Sequence, residues 1–495
     1  MFKWLKKKKE TGVKELPDLI ALFSESKDFL QYEFPQNPQP FLIYYLKTMV
    51  DDNTLHRDIM PYIKKESVQT LEDLKAEVPI ENIIITDDLQ KINDGLLHGS
   101  VVIRPGKGGK ECAIIKAPVN FTRNVSAPEV EFSVIGPKEA FVESLDNNVN
   151  LIRKRLPVEN FKMKQIKIGK LSKTKVAVLY LEGIANEENV NTVIQRLEDI
   201  QIDQINDSSY LAQLISDNAN SPFPQLIDTE RPDRVASVLG EGKVAILADG
   251  SPLAIIGPTT LVEFFSAFED YFLNWIIASA FRTIRFVAVL FSLLITPTYV
   301  AVLTYHYELI PKDLMATLIS SRREIPMPPI LEAIFLELAI ELLREAGARL
   351  PTKVGQTIGI VGGIVIGTAS VEAGLTSNVL LIFVALAALG SFTTPVYRMS
   401  NTIRLIRFPF LLFAHLWGLL GVVIAFCFML IHLLRLTSLG RPILEPLYPL
   451  RIPDLKDALI RLPFSFQSKR PVQLQTENTI RFKGAQAKKK NDFDE

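Results

Sequence analysis

The run FVAVLFSLLITPTYVAVLTYHY, residues 286–307, decides what kind of protein this is. It holds no Asp, Glu, Lys or Arg and is interrupted only by Pro297. A helix of about 20 residues rising about 1.5 Å each crosses a hydrocarbon core of about 30 Å. Arg282 and Arg285 precede the run, and basic flanks stay on the cytoplasmic side, so its N-terminal end is placed there. Upstream, to about residue 243, apolar and charged residues interleave as in a soluble domain, whereas 286–434 contains long uncharged stretches. A chain of 495 residues also exceeds what one core serves. The expected fold is therefore multi-domain. A soluble cytoplasmic α/β region of two subdomains covers 1–245, and an interfacial connection covers 246–285. An all-α multi-pass transmembrane domain follows over 286–436, and a polar C-terminal tail over 437–495.

Beyond the first span, the linker carries Arg322, Arg323 and the rigid Pro326-Met327-Pro328-Pro329. The apolar segment 330–343 then carries Glu332, Glu337 and Glu341. Glu337 and Glu341 share one helix face. Carboxylates inside an apolar membrane helix are kept where they meet a water-filled cavity, an ion path or a cationic partner, which makes the three glutamates candidates for a pore. With only about 14 apolar residues, the segment equally reads as an interfacial helix with its acids in water. Gly355, Gly359, Gly363 and Gly367 repeat every four residues in the next span. That repeat suits close helix packing or self-association. An alanine-rich span over 377–394 and a last span over 408–434 complete the set. Four or five spans result, depending on 330–343. Lys488-Lys489-Lys490 favour a cytoplasmic tail and so four; Arg344, Arg349 and Lys353 favour a cytoplasmic loop after the glutamate helix and so five.

In the soluble region, 82–86, 100–103, 112–115, 164–168, 176–181 and 200–205 read as strands, and 88–97 and 187–197 as helices. The sequence Pro105-Gly106-Lys107-Gly108-Gly109-Lys110 lacks phosphate-loop spacing and a following helix, so a hairpin turn fits it better. Gly136-Pro137 opens a helix running to about 156, with Glu139 and Glu143 early and Arg153-Lys154-Arg155 late, as the helix dipole favours.

Several classes are excluded or disfavoured. Lys plus Arg and Asp plus Glu number 55 each, for a formal net charge of zero, which argues against nucleic acid as a partner. Cys112 and Cys427 fall in different regions and lack metal-ligand spacing, so no metal or cofactor is expected. The basic N-terminus has no apolar segment after it, so no cleavable signal is expected. No HExxH, GxSxG or triad spacing accompanies the five histidines, and the chain reads as no enzyme.

Three stretches resemble the A subunit of the GerA family of spore germination receptors. The first is Gly136, Pro137, Glu139 and Glu143 with Asn148, Leu151, Arg153 and Arg155. The second comprises Pro222-Phe223-Pro224, Glu230-Arg231-Pro232-Asp233, Glu241-Gly242-Lys243 and Glu269-Asp270-Tyr271. The third comprises 299–311, Leu343-Arg344-Glu345-Ala346-Gly347 and the glycine series. Ile135 stands where that family usually has arginine, and Ala140 where glycine is common. The resemblance implies a subunit of a nutrient-germinant receptor in the spore inner membrane. It also implies a transporter-like B subunit and a lipoprotein C subunit as partners, contact with membrane lipid, and assembly as a homo-oligomer into a gated cation channel. Glu337 or Glu341 repeated around such a ring would make a negative constriction. A non-conducting scaffold, or an accessory protein that amplifies germination, is the alternative.

Overall fold

The structure, a computed structural model, describes residues 15–34, 40–65, 67–80, 83–106, 110–119, 128, 131, 133–458 and 460–482. The basic N-terminus, Asn82, positions 107–109 of the glycine-rich loop and Lys488–Lys490 lie outside them.

The first subdomain is an antiparallel sheet of β1 (Phe29–Phe34), β2 (Phe41–Leu46), β3 (Ile84–Thr86), β4 (Ser100–Pro105) and β5 (Cys112–Lys116), ordered β1-β2-β4-β5-β3. β4 and β5 pair as the hairpin the glycine-rich sequence predicts. Both faces of the sheet are covered. Helices α1 (Leu16–Ser24) and α4 (Leu89–Leu97) pack on one, and α2 (Met60–Ile63) and α3 (Leu71–Glu77) on the other. Asp88 caps α4 through Gln90 N–H, and a Thr70/Asp73 capping box starts α3.

The second sheet is also antiparallel. It contains β6 (Phe161–Ile168), β7 (Thr174–Leu181), β8 (Ile227–Thr229), β9 (Val244–Ala248) and β10 (Ala254–Gly257), ordered β6-β7-β9-β10-β8. Along β7, Val176 and Val178 point toward α6 (Glu187–Glu198) and α7 (Ser208–Leu214). Ala177 and Leu179 point toward α5 (Leu145–Arg155) and α8 (Pro232–Glu241). A strand buried on both faces needs apolar residues at every position, which explains why 176–181 is continuously apolar apart from Tyr180.

Three expectations are corrected. The helix expected from Gly136 starts at Leu145, capped by Ser144, because Gly136 has φ +110° and the chain to 143 makes irregular contacts instead. Residues 200–205 form no strand. Ile202 and Asp203 instead accept backbone hydrogen bonds from Lys170 and Leu171 in the β6–β7 turn. β9 and β10 continue the soluble sheet past residue 245.

The helical part begins with α9 (Trp275–Tyr305). It continues through α10 (Lys312–Arg322), α11 (Pro329–Arg349), α12 (Thr352–Ile364), a π-helical turn and α13 (Ser370–Glu372), then α14 (Asn378–Phe392) and α15 (Tyr397–Arg435). By length and composition α9 and α15 are long and apolar enough to cross a membrane, and α14 is a shorter apolar helix. The last span, expected as one helix over 408–434, is not one rod. Trp417 and Gly418 leave helical geometry (Gly418 φ +61°, ψ −141°), and α15 folds back on itself. Phe410 and Ala414 of the first arm pack with Val422 and Ala425 of the second. Thr402 and His432 reach the adjacent residues Pro222 and Ser221 at 2.5 and 2.8 Å. In a straight helix those 30 positions would lie about 45 Å apart. Both ends of this hairpin therefore sit at the soluble head, while its tip meets the far end of α9, where Tyr305 Oη donates to Leu416 O.

Chain direction through the bundle follows from its contacts. α11 begins at the far end, where Glu332 takes a hydrogen bond from Ser377 N, and runs back until Glu341 meets Arg404 near the head. α12 and α13 run outward again. α14 returns, with Gly390 against Ala288 and Ser292 of α9. The segment after 436, expected as a polar tail, instead packs on the head and on α9. Leu439, Ile443 and Leu474 are buried there, and Glu477 N–H bonds to Ile184 O.

Candidate functional site: a charge ladder in the bundle and its tether to the head

Each of the three glutamates singled out on α11 meets arginine. Glu337, 3% exposed, accepts from Arg407 Nη1 at 2.5 Å and Thr296 Oγ1 at 3.2 Å. Arg407 Nη2 donates to Ser292 Oγ at 2.6 Å and Ala387 O at 3.3 Å. One turn along, Glu341 accepts from Arg404 at 2.7 Å and lies 3.7 Å from Arg344, whose guanidinium stacks on Phe392. Glu332, fully buried, sits 2.8 Å from Arg322. Of the roles open to these acids, the structure places them beside cationic partners. Because α11 and the first arm of α15 run antiparallel, acids four apart meet bases three apart. In the sequence Arg404 and Arg407, with Arg398, read only as the basic flank ahead of the last span, although that matched spacing was the signal for their pairing with the acids.

The glycine series lies on α12 and the turn that follows. Among the described residues nothing comes within 4 Å of a side chain built at Gly359 or Gly363, while Gly355 faces Gly347 O at 2.9 Å and Gly367 faces Leu381 at 3.8 Å. The middle of the stripe is thus open in a single chain.

The family-signature residues gather in the head and at its base. Gly136 needs its positive φ, and a Cβ there would meet the Phe272 ring at 2.6 Å. Arg231, buried at 2%, donates to Asp233 through Nε (3.1 Å) and Nη2 (2.7 Å), to Ser133 Oγ (2.6 Å) and to Pro137 O (3.2 Å). Pro232 occupies the first turn of α8, and Glu230 O accepts from Phe141 N. Glu139 pairs with Arg155, and Glu143 O accepts from Gly250 N. Arg153 stands apart. On α5 it grips Asp28 of the first subdomain with two bonds, 2.7 and 2.8 Å, with Ser26 and Thr48 completing the carboxylate's shell. Burial pushes Asp28 up, yet the Arg153 charge and these hydrogen bonds outweigh it and hold the carboxyl below its ordinary value.

Two further clusters tie head to bundle. At the top of α9, Asp270 of the Glu269-Asp270-Tyr271 motif accepts from Arg282 (3.2 Å) and Arg285 (3.1 Å). Arg282 also donates to Asp457 Oδ1 (3.0 Å), and Arg461 caps the carbonyls of Asp270, Tyr271 and Leu273. At the base of the hairpin, Arg398 pairs with Asp228 at 2.6 Å beside a cleft of about 420 Å³ shared with the 212–226 segment. Burial of Asp228 outweighs Arg398, which is itself a third exposed, and lifts the carboxyl to about 6. Asp228, Asp457 and Arg461 carried no sequence signal, because their partners lie far away in the chain.

Fold and site together define a membrane-associated protein in which a soluble α/β head is tied into an apolar helical bundle. The chain belongs to the GerA family of Bacillus/Clostridium spore germination proteins, whose sequence model matches residues 18–473. It is 50% identical to the spore germination protein GerQA of Bacillus cereus over 98% of both chains. It is 47% identical to GerIA of the same species, over 99% of this chain and 74% of that one, and 37% identical to spore germination protein KA of Bacillus subtilis (strain 168), over 89% and 81%. A crystal structure of the N-terminal domain of the A subunit of the Bacillus megaterium spore germinant receptor GerK3 is similar at 27% identity. It covers 49% of this chain and 94% of that one, with a TM-score of 0.38.

Proposed function

We propose that this chain is the A subunit of a nutrient-germinant receptor in the spore inner membrane and that it relays germinant binding to a cation path. It crosses the membrane six times, through α9, α11, α12 with α13, α14 and the two arms of α15, with head and C-terminal segment both cytoplasmic. The packing of residues 437–458 and 460–482 on the head supports an even number of passes. Six passes also reconcile a cytoplasmic tail with a cytoplasmic loop after α11. The positive-inside rule supports the orientation: Arg282, Arg285, Arg349, Arg398, Arg404 and Arg435 cluster at the head end, against Lys312, Arg322 and Arg323 at the far end.

The observation that carries the relay is continuity along one helix arm. Arg398 is held by the head at Asp228, and two turns on, Arg404 and Arg407 hold Glu341 and Glu337 of α11. On α11 packs α12, whose open glycine face is where copies associate. A head displaced by its partners, a transporter-like B subunit and a lipoprotein C subunit, shifts the arm and re-pairs these charges. Glu341, the least buried of the three acids, is the residue most able to face an ion path in the assembled ring.

A second reading is favoured by one observation. Glu332 and Glu337 are sealed and neutralised within the chain, as befits a static scaffold or accessory protein. Liposome flux of monovalent cations separates the two. A channel loses flux together with its oligomer in Gly363→Leu, and loses flux with the oligomer intact in Glu341→Gln. An oligomer that never conducts, even with partner subunits and germinant present, is a scaffold.

A further inference from the structure

We infer that the C-terminal strap, residues 446–458 and 460–466, and the first turns of α9 form a peripheral seat in the headgroup layer of the near leaflet, the surface of an anionic phospholipid bilayer being the partner. The inference rests on the reading that the bundle spans a membrane.

α9 is inverted relative to a soluble helix. Its charged residues Arg282 and Arg285 turn inward, while Ile276, Phe281 and Ile284 are exposed, and no charged residue lies on the exposed face from 275 to 291. From Trp275 to Tyr305 the axis is about 45 Å long. That exceeds a hydrocarbon core of about 30 Å but matches a bilayer with its headgroups, about 40–45 Å. Two of the three tryptophans mark the ends of that length. Trp275 opens α9 at 39% exposure, and Trp417, at 51%, sits on the hairpin tip beside Tyr305. Tryptophan collects at both membrane–water boundaries.

The strap lies at the near boundary. Arg461 N–H bonds to Ser279 Oγ at 3.1 Å, and Ser279 Oγ donates to Arg461 O at 3.0 Å. Ser279 is four residues, about 6 Å, along the axis from Trp275. Around that contact the strap exposes Ile460 and Phe464, with the exposed Lys456 held close by the Leu462 N–H bond to its carbonyl. Aromatic and aliphatic side chains beside a lysine are what an interfacial segment presents to acyl chains and anionic headgroups. The stripe on α9 and the strap make one surface continuous with the outside of the bundle.

The test uses the full-length protein, one copy per nanodisc of phosphatidylcholine and phosphatidylglycerol, with bromine placed either near the headgroup end or near the tip of the acyl chain. Trp4→Phe/Trp417→Phe leaves Trp275 as reporter. Phe464→Trp with all three native tryptophans replaced by Phe reports on the strap, and Trp4→Phe/Trp275→Phe leaves Trp417 as a control on the bundle. Shallow bromine is expected to quench Trp275 and the Phe464→Trp reporter at least about twofold, and deep bromine less. Unquenched Trp275 and Phe464→Trp with quenched Trp417 would overturn the seat and leave the spanning bundle standing. Three unquenched reporters would overturn both. Quenching lost whenever several copies share a disc assigns the surface to a second copy and overturns the lipid assignment.

Discussion

Replacing Arg153 with methionine should unfasten the two soluble subdomains from one another. Arg153 and Asp28 are each 2% exposed, and the guanidinium supplies bonds of 2.7 and 2.8 Å to the carboxylate and 3.1 Å to Ser26. Methionine fills much of the stem's volume, but it gives up the guanidinium over the Phe161 ring and leaves a buried carboxylate with only the Ser26 and Thr48 hydroxyls. Removing one partner of such a pair costs about 3–5 kcal/mol, a large part of the about 5–15 kcal/mol that holds a domain folded. The sign of the pH dependence can be worked out. In the native chain Asp28 is held below its ordinary value, so the pair's contribution is complete above about 3.8 and fades as pH falls through the lower folded value. Without Arg153, burial prevails and lifts Asp28, so the variant gains stability as pH falls from neutral toward 4, narrowing its deficit. Asp28→Asn/Arg153→Met removes both charges and should recover most of the loss. Pulse proteolysis in urea at several pH values measures each quantity on the detergent-solubilised chain. A neutral-pH deficit under about 1 kcal/mol, a deficit unchanged with pH, or a double variant no better than the single would refute the reasoning.

Other outcomes follow from the same contacts. Asp228, lifted to about 6, is disfavoured as the ionised form, so the head–hairpin junction weakens as pH rises from about 4 to about 6; Asp228→Asn should flatten that profile, and an infrared carboxyl titration near 4 would contradict it. Gly136→Ala must carry φ +110° and displace the Phe272 ring, costing about 1–3 kcal/mol; a melting temperature equal to the parent's would show the close approach to be slack. The buried Cys112 thiol, pushed up by burial to about 11, should resist maleimide at pH 8 until the head unfolds. Labelling of the folded head would place that side chain at the surface.

How much of this was legible in the sequence depended on where each signal's partners lay. β7, α4 and α6 were readable because period, caps and turn residues are local. The helix start at Leu145 was misread because Gly136-Pro137, a good helix-opening pair by type, is used here for a positive φ against Phe272, a contact 136 residues away. The hairpin of α15 was hidden for a different reason. Its turn, Leu416-Trp417-Gly418-Leu419, carries none of the polar turn residues that mark reversals in water. Nor did length betray it, since the apolar run over 408–434 would stretch about 40 Å, near one tilted span, and the 39 residues of α15 are seen only in the fold. Within the bundle, the acids of α11 were visible as anomalies against an apolar background. Their arginines sat at the start of α15 and passed for topogenic flanks. The junction residues Asp228, Asp457 and Arg461 stand in ordinary polar contexts, and only the folded chain brings them to Arg398, Arg282 and the carbonyls of 270–273.

The strap also sets an order of events during synthesis. Arg282 enters the first helix of the bundle, but its partner Asp457 lies 175 residues later. At about 5–20 residues per second the ribosome needs about 10–35 s to reach it. Throughout that interval Asp270, only 12 residues upstream, is the acid at hand for a guanidinium that ends fully buried. Head and bundle therefore meet first through Arg398–Asp228 and Arg282–Asp270, and Asp457 and Arg461 complete the junction afterwards. A message cut short between codons 436 and 457 yields a chain with head and bundle made but without this last clamp on Arg282.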